Sequence, residues 1–537
     1  MNKHVPAKGR YFFAVRTIHI SKPKNAEQNA EVNMNLNVKT ITAENSRWIA
    51  GSQILVEGVL GIPGELEPIE TILEVSGTSE ITESRIEEGK ILLRGIAYFK
   101  VLYLNTEGEF SGFDAESPFT QTLDFTDALP DAKLLAWSEL RDISYHQADG
   151  RNLSIKGIVE ADLYAAGNQI YQILDGQSRE KYMQTRERDL PFSQIGCMNA
   201  SKSYVSAQVR VPQSMPAVKR VLSERGYAML RKTVAEDGRA AVEGDLKVFI
   251  IYESTDKNAP LQYFEETLPF GEVIRDDALR TGSKVFCIAN LETLATEPDA
   301  EDMDILNISA AIGLCLIGRR HETVRIIEDL YDEKRDVQLD YTSIGTCNIS
   351  EGECMKKILR LSAEIPSAAP EVSRILFSSA YPTILSSKEE SGILSMDGIM
   401  TLLLCYTTSQ AGIRSLKLQI PFETEVSYEK KLPDSELLIR CFGEYALCEG
   451  SGRELEIKCC LDLCIWEVET QQAQAVCSAT FSEMVSPKQC GIIIYYADGK
   501  ETLWDVAKKF RVAPDTIRNA TPEDTIVKGQ KLILISR

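Results

Sequence analysis

Arg239-Ala240-Ala241-Val242-Glu243-Gly244-Asp245-Leu246-Lys247-Val248-Phe249-Ile250-Ile251-Tyr252 is the stretch that decides how this chain folds. Ala240, Val242, Leu246, Val248, Ile250 and Tyr252 share one phase of a two-residue period, and Arg239, Glu243, Asp245 and Lys247 fill the other. Successive side chains of a strand point to opposite faces, so this alternation predicts a strand with one buried side. Just upstream, Glu236-Asp237-Gly238 offers a glycine for the positive φ of a hairpin tip.

The same pattern occurs three times without a gap, in Pro63–Tyr103, Pro212–Tyr252 and Pro366–Tyr406, at periods of 149 (212−63) and 154 (366−212) residues. Each copy opens on an aliphatic-Pro step (Ile62-Pro63, Val211-Pro212, Ile365-Pro366), followed by Pro68, Pro216 or Pro370 and then a fixed leucine, Leu73, Leu222 or Leu376. The hairpin glycines are Gly89, Gly238 and Gly392, and a second glycine follows at Gly95, Gly244 or Gly398. The inward phase recurs through Ile91, Leu93, Phe99, Val101 and Tyr103, and through Leu394, Met396, Met400, Leu402, Leu404 and Tyr406. Gly95, Gly244 and Gly398 share that phase, where a missing side chain implies a bulge or a close approach of neighbouring structure. A Pro-Phe pair follows each tyrosine, at Pro118-Phe119, Pro269-Phe270 and Pro421-Phe422, and alternating strands close the copies at 153–163, 306–316 and 455–465. Ile195-Gly196 and Ile344-Gly345 read as ordered connectors between copies. The expectation is a mostly β chain of three tandem β-sandwich-like repeats, at 1–175, 176–330 and 331–487. Such spacing of Gly, Pro, Tyr and Leu describes a fold rather than a reaction.

A formal net charge of −20 over 537 residues repels a phosphate backbone, so nucleic acid is not an expected ligand. No run of about 18 apolar residues could span a bilayer, and the apolar stretch 11–15 behind Lys3, Lys8 and Arg10 is too short for a signal-peptide core. A cytoplasmic protein that does not cross a membrane is expected. The 13 cysteines form no Cys-x-x-Cys pair, and many lie in apolar runs, as reduced, buried thiols do. The four histidines have no metal-ligand spacing, and neither a phosphate-binding glycine loop nor a Gly-x-Ser-x-Gly elbow is present. Cys460, Asp462 and Cys464 would share a strand face as a metal candidate, but the alternating Leu461, Leu463 and Ile465 favour ordinary strand packing. No catalytic residue, metal or cofactor is expected, and the chain does not read as an enzyme.

Residues 488–537 break the pattern. A strand at 492–496, a turn at Asp498-Gly499, a helix N-capped by Thr502 and a second short helix from Pro514 precede a closing strand. Gly499, Thr502, Leu503, Trp504, Phe510, Val512, Gly529, Gln530, Leu532 and Leu534 keep the order of the LysM motif, and the segment resembles that βααβ family. LysM domains bind N-acetylglucosamine polymers in a shallow groove between two loops. The resemblance implies a ligand or partner groove formed by Gly499, Glu501, Thr502 and Leu503 facing Ile517, Asn519, Thr525, Ile526 and Val527.

Tandem repeats of this kind ending in one LysM resemble a spore coat morphogenetic family of anaerobic spore formers, whose members include the protein that interacts with stage IV sporulation protein A. The resemblance implies a non-enzymatic adaptor in the mother cell, at the forespore surface, with that coat ATPase as partner. A LysM module inside the cell would not meet mature peptidoglycan, so its groove is expected to have been adapted to a protein. The alternative is a peptidoglycan-binding wall or phage-like baseplate accessory using the module to hold N-acetylglucosamine-containing glycan.

Overall fold

A computed structural model describes residues 36–125, 131–176, 181–410, 412–432, 434–483, 491–519 and 526–536. The first unit comprises β1 (Val38–Gly61), β2 (Ile69–Glu87), β3 (Lys90–Asn105), β4 (Phe110–Asp124), β5 (Lys133–Asp149) and β6 (Asn152–Leu174). They form two three-stranded antiparallel sheets, β1-β6-β5 and β2-β3-β4. The second unit repeats this with β7 (Met183–Arg210), β8 (Val218–Glu236), β9 (Arg239–Ser254), β10 (Leu261–Arg275), β11 (Lys284–Pro298) and β12 (Ile305–Asp332). The third uses β13 (Val337–Ile349), β14 (Glu353–Glu364), β15 (Arg374–Glu390), β16 (Ile393–Thr407), β17 (Ile413–Ser427), β18 (Glu436–Ser451) and β19 (Glu454–Phe481). In each unit the two sheets face each other and touch along their edges, β2 against β5 and β1 against β4 in the first.

The inward set read from the sequence is buried throughout and fills the core of its own unit in all three copies. The two-residue hairpins turn through Glu88-Gly89, Asp237-Gly238 and Ser391-Gly392, each glycine at positive φ. The second glycines have matching surroundings. Gly95 pairs across the ladder with Phe119, Gly244 with Phe270 and Gly398 with Phe422. In each case an added Cβ would lie 2.3–2.4 Å from that ring and 2.3–2.6 Å from a carbonyl of the preceding strand. The glycine therefore makes room for a ring that lies over it, the cross-strand device known as aromatic rescue. The tyrosine hydroxyls repeat as well: Tyr103 donates to Glu67 O, Tyr252 to Pro216 O and Tyr406 to Pro370 O, at 2.9–3.0 Å, tying the strand to the proline loop.

The outer strands run on beyond the sandwich. Val38–Ile49 of β1 pairs with Leu163–Leu174 of β6, the first half of β7 with the second half of β12, and β13 with the second half of β19. A bulge or break marks the exit from each sandwich, at Ile49/Ser52, at Gly196 and at residues 350–352. Ile195-Gly196 and Ile344-Gly345 lie inside these ribbons, in β7 and β13, so the expectation that they connect units is corrected. The strands are longer than the sandwich requires, and the junctions fall after Leu174 and Asp332 instead.

The three units pack around an approximate threefold axis. Ile41 and Tyr171, Leu190 and Ile326, and Ile344 and Ala473 bring the three ribbons into one cluster. A second layer collects Trp137, Tyr164, Phe286, Ile317, Ile349 and Trp466. A third holds Leu73, Leu222 and Leu376, the fixed leucine of every copy. Each of these leucines is the extra residue of a β-bulge, between Ile72 and Glu74, Val221 and Ser223, and Ile375 and Phe377. A bulge re-aims the side chain it inserts, and here it turns the leucine out of its own sandwich toward the other two units.

After the third unit come β20 (Gly491–Tyr496), α1 (Leu503–Phe510), a 3-10 turn (Pro514–Thr516), β21 (Ile517–Arg518) and β22 (Lys531–Ser536), with β22 between β20 and β21. Thr502 caps α1 as expected, in a reciprocal capping box with Asp505. The second helix reduces, among the described residues, to the single 3-10 turn. Ile517 leaves it in extended conformation to pair with Leu534, and Asn519 turns the chain at a φ of 66°.

Candidate functional site

The expected groove residues fall into three groups. Gly499 abuts the second loop, and at its φ of 81° a Cβ would lie 2.8 Å from the backbone nitrogen of Lys528. Ala497 and Gly529–Gln530 exchange backbone hydrogen bonds of 2.8 and 3.0 Å, so the two loops are brought together. Thr502 and Val527 are exposed, and Val527 keeps 69% of its surface open. Ile517 and Ile526 are buried with Leu503 packed against them, so these three build the core beneath the loops. Glu501 accepts from Tyr495 and pairs with Lys509 at 2.9 Å, and the carbonyl of Asn519 accepts from Gln530 Nε2 at 2.8 Å. Thr525 lies outside the described residues.

Beside the loops, β20 is an edge strand, and its side chains Ile492, Ile494 and Tyr496 are 72%, 54% and 63% exposed. An apolar face beside unpaired backbone groups suits a partner that adds a strand or a flat apolar surface.

The other side of the module is docked on β12. Trp504 donates its indole N–H to Asp329 Oδ2 at 2.7 Å, and Lys508 Nζ reaches both Asp329 oxygens at 2.7 and 2.8 Å. Tyr331 packs edge-on against Trp504, with centroids 5.0 Å apart, and donates to Val512 O at 2.7 Å. Arg511 pairs with Asp336. Burial pushes the Asp329 carboxyl up, but Lys508 and Trp504 outweigh it and hold it below the ordinary range. In the sequence Trp504 stands only as a residue of the LysM-like motif. Its partners lie 173–175 residues away, and no local signal connects them.

Polar pins join the units. Arg319 of the second makes a bidentate pair with Glu44 of the first at 2.8 and 3.1 Å, both side chains buried. Tyr164 and Ser193 also donate to Glu44, and Ser193 reaches Cys347 O of the third unit at 2.8 Å. Burial raises the Glu44 carboxyl, and these donors with Arg319 bring it below its ordinary value. Glu444 of the third unit takes Lys247 of the second at 2.9 Å and Lys356 of its own, while Arg440 donates to Ala289 O at 2.7 Å and Asn290 Oδ1 at 3.2 Å.

The candidate metal trio is otherwise engaged. Asp462 accepts from Tyr227 at 2.9 Å, Cys464 faces Cys354, and Leu461, Leu463 and Ile465 enter the core of the third unit. Among the described residues, no group of three or more His, Cys, Asp or Glu side chains could hold a metal ion, and no helix is long and apolar enough to cross a membrane.

The family model described as SipL, SPOCS domain matches residues 68–148 and 217–298. The two matches begin at the second proline loop of the first and second units and run through β2–β5 and β8–β11. The chain thus carries two copies of a sporulation-associated domain, and by register the third unit is built on the same plan. No curated protein and no solved structure matches the chain.

Proposed function

We propose that the chain is a non-enzymatic adaptor of spore coat assembly, acting in the mother cell at the forespore surface, with a LysM-type C-terminal module that binds a protein partner. The observation that carries this reading is the repeated SipL-type domain, the domain of a sporulation protein. The architecture supports it: bulges, buried ion pairs and leucines are spent on fusing three units into one body, as suits a rigid platform. The module is fixed to that body through Trp504 and Lys508, which leaves β20 and the Val527 loop facing outward.

The partner expected from this reading is a stage IV sporulation protein A-like coat ATPase. Titrating the full chain with that ATPase is expected to give saturable binding, and Ile494→Glu or Val527→Glu should weaken it at least tenfold while leaving the melting temperature unchanged. The wall-binding alternative rests on the juxtaposed 497–502 and 526–530 loops. Co-sedimentation of the full chain with peptidoglycan sacculi, together with failure to bind the ATPase, would establish it instead.

A further inference from the structure

A cavity of about 590 Å³ lies on the threefold axis, lined by all three units. The same elements of each unit surround it: residues 75–79 of β2, 224–228 of β8 and 380–383 of β15, with 139–143 of β5, 290–294 of β11 and 440–443 of β18. It lies between the layer of the fixed leucines and the aromatic layer of Trp137, Phe286 and Trp466, and its volume is that of a small-molecule site.

Its charges are paired except for Arg225 and the exposed Glu116, which make no ion pair among the described residues. Lys100 pairs with Glu224 and Asp114, Arg141 with Glu139 and Glu160, Lys417 with Asp142, and Arg440 with Glu139. Arg225 has no carboxylate within ion-pair distance and donates no hydrogen bond among the described residues. Its guanidinium lies over the Phe249 ring at 4.3 Å, with the Tyr381 ring at 5.1 Å. Both rings engage the flat π surface, which leaves the N–H edges for an acceptor in the plane. Glu74 and Glu265 feel the Arg225 charge, but neither makes an ion pair with it.

The ladder registers make Ser76, Arg225 and Ser379 the same position in the three copies (76+149=225; 225+154=379), directly opposite Lys100, Phe249 and Leu403. Ser379 is drawn to Glu74 and Tyr381. Ser76 lines the cavity, is only 5% exposed, and its hydroxyl has no partner. Much of the remaining wall is apolar, including Leu140, Leu291, Leu294 and Phe442.

We propose that this axial cavity binds an organic carboxylate with an apolar body, its carboxylate held by Arg225 and its hydrocarbon against the leucines. An inorganic anion would leave the apolar wall wet. A polyphosphate would bring more negative charge than one free guanidinium can neutralise, against a balanced lining.

Isothermal titration of the full chain with octanoate and with 2-naphthoate is expected to show one saturable site. The neutral 2-naphthamide and inorganic phosphate should each bind at least tenfold more weakly. Arg225→Gln should lower carboxylate affinity at least tenfold. Leu291→Trp, which fills the cavity and leaves Arg225 in place, should abolish binding and guards against misreading a folding defect in the first variant. Absence of saturable binding by either acid, equal affinity for acid and amide, equal affinity for phosphate, or full binding by a folded Leu291→Trp protein would each overturn the assignment.

Discussion

Replacing Asp329 with alanine tests how the C-terminal module is held. The substitution removes the acceptor of the Trp504 indole N–H, 2.7 Å away in a buried contact, and the partner of Lys508. A buried donor left without an acceptor costs about 1–3 kcal/mol. Lys508 is 42% exposed and can return to water, so its lost ion pair adds only about 0–1 kcal/mol. A total of about 1–4 kcal/mol shifts the docking equilibrium roughly 5- to 900-fold toward the undocked form. Hydrogen exchange over Leu503–Phe510, followed by mass spectrometry, should accelerate by that factor in Asp329→Ala and severalfold at most in Lys508→Ala. Because the Asp329 carboxyl is held low, docking should be fully present at neutral pH and weaken only as pH falls below the ordinary aspartate range. The reasoning is refuted if Lys508→Ala accelerates exchange as much as Asp329→Ala, since the orphaned indole would then not be the larger cost.

Gly244→Ala places a methyl 2.4 Å from both the Phe270 ring and Met229 O. Overpacking of about 1–3 kcal/mol is expected as a lower urea midpoint, and Phe270→Leu in the same chain should restore part of it. Glu444 is raised by burial but brought down to about 2 by Lys356 and Lys247. Its contribution to holding the second and third units together is therefore present above its ordinary value of 4.5 and lost as pH falls toward 2; Glu444→Gln should flatten that part of the stability-against-pH curve. Glu44→Gln strands the buried Arg319 and should destabilise the protein by about 3–5 kcal/mol in chemical unfolding, whereas Glu57→Gln at an exposed pair should cost under about 1 kcal/mol. Cys354 and Cys464 face each other directly across β14 and β19, with Cys354 exposed. Glutathione disulfide should oxidise the pair to one intramolecular disulfide, the two protons and two electrons leaving as two glutathione thiols. The protein mass then falls by roughly 2 units, and not in Cys354→Ser.

The sandwich was legible because its signals are local. Gly244 and Phe270, and their counterparts, were separate clues that the ladder turned into one contact. The inner phase of β3, β9 and β16 was read without error, but the outer phase was read only through its charges. Leu102 and Leu104, Ile251, and Leu403 and Cys405 also lie on that outer face, buried between units. The near-continuous apolar ends of these strands are the sequence mark of burial on both sides. Of the expected groove residues, Gly499 and Val527 lie on two adjacent loops, while Ile517 and Ile526 beneath them are core.

By itself, then, the sequence determined the period, the strand faces, the hairpin turns and the capped helix, because these depend on spacings of a few residues and on the φ a residue can adopt. The tertiary structure alone decided that three sandwiches share an axis, that a bulge turns Leu73, Leu222 and Leu376 outward, that Ser76 and Arg225 line one cavity, and that Trp504 docks on Asp329. Those pairings join residues roughly 150 or more positions apart, and their energy comes from apolar area and buried charge matched between surfaces, which no local pattern of the chain encodes.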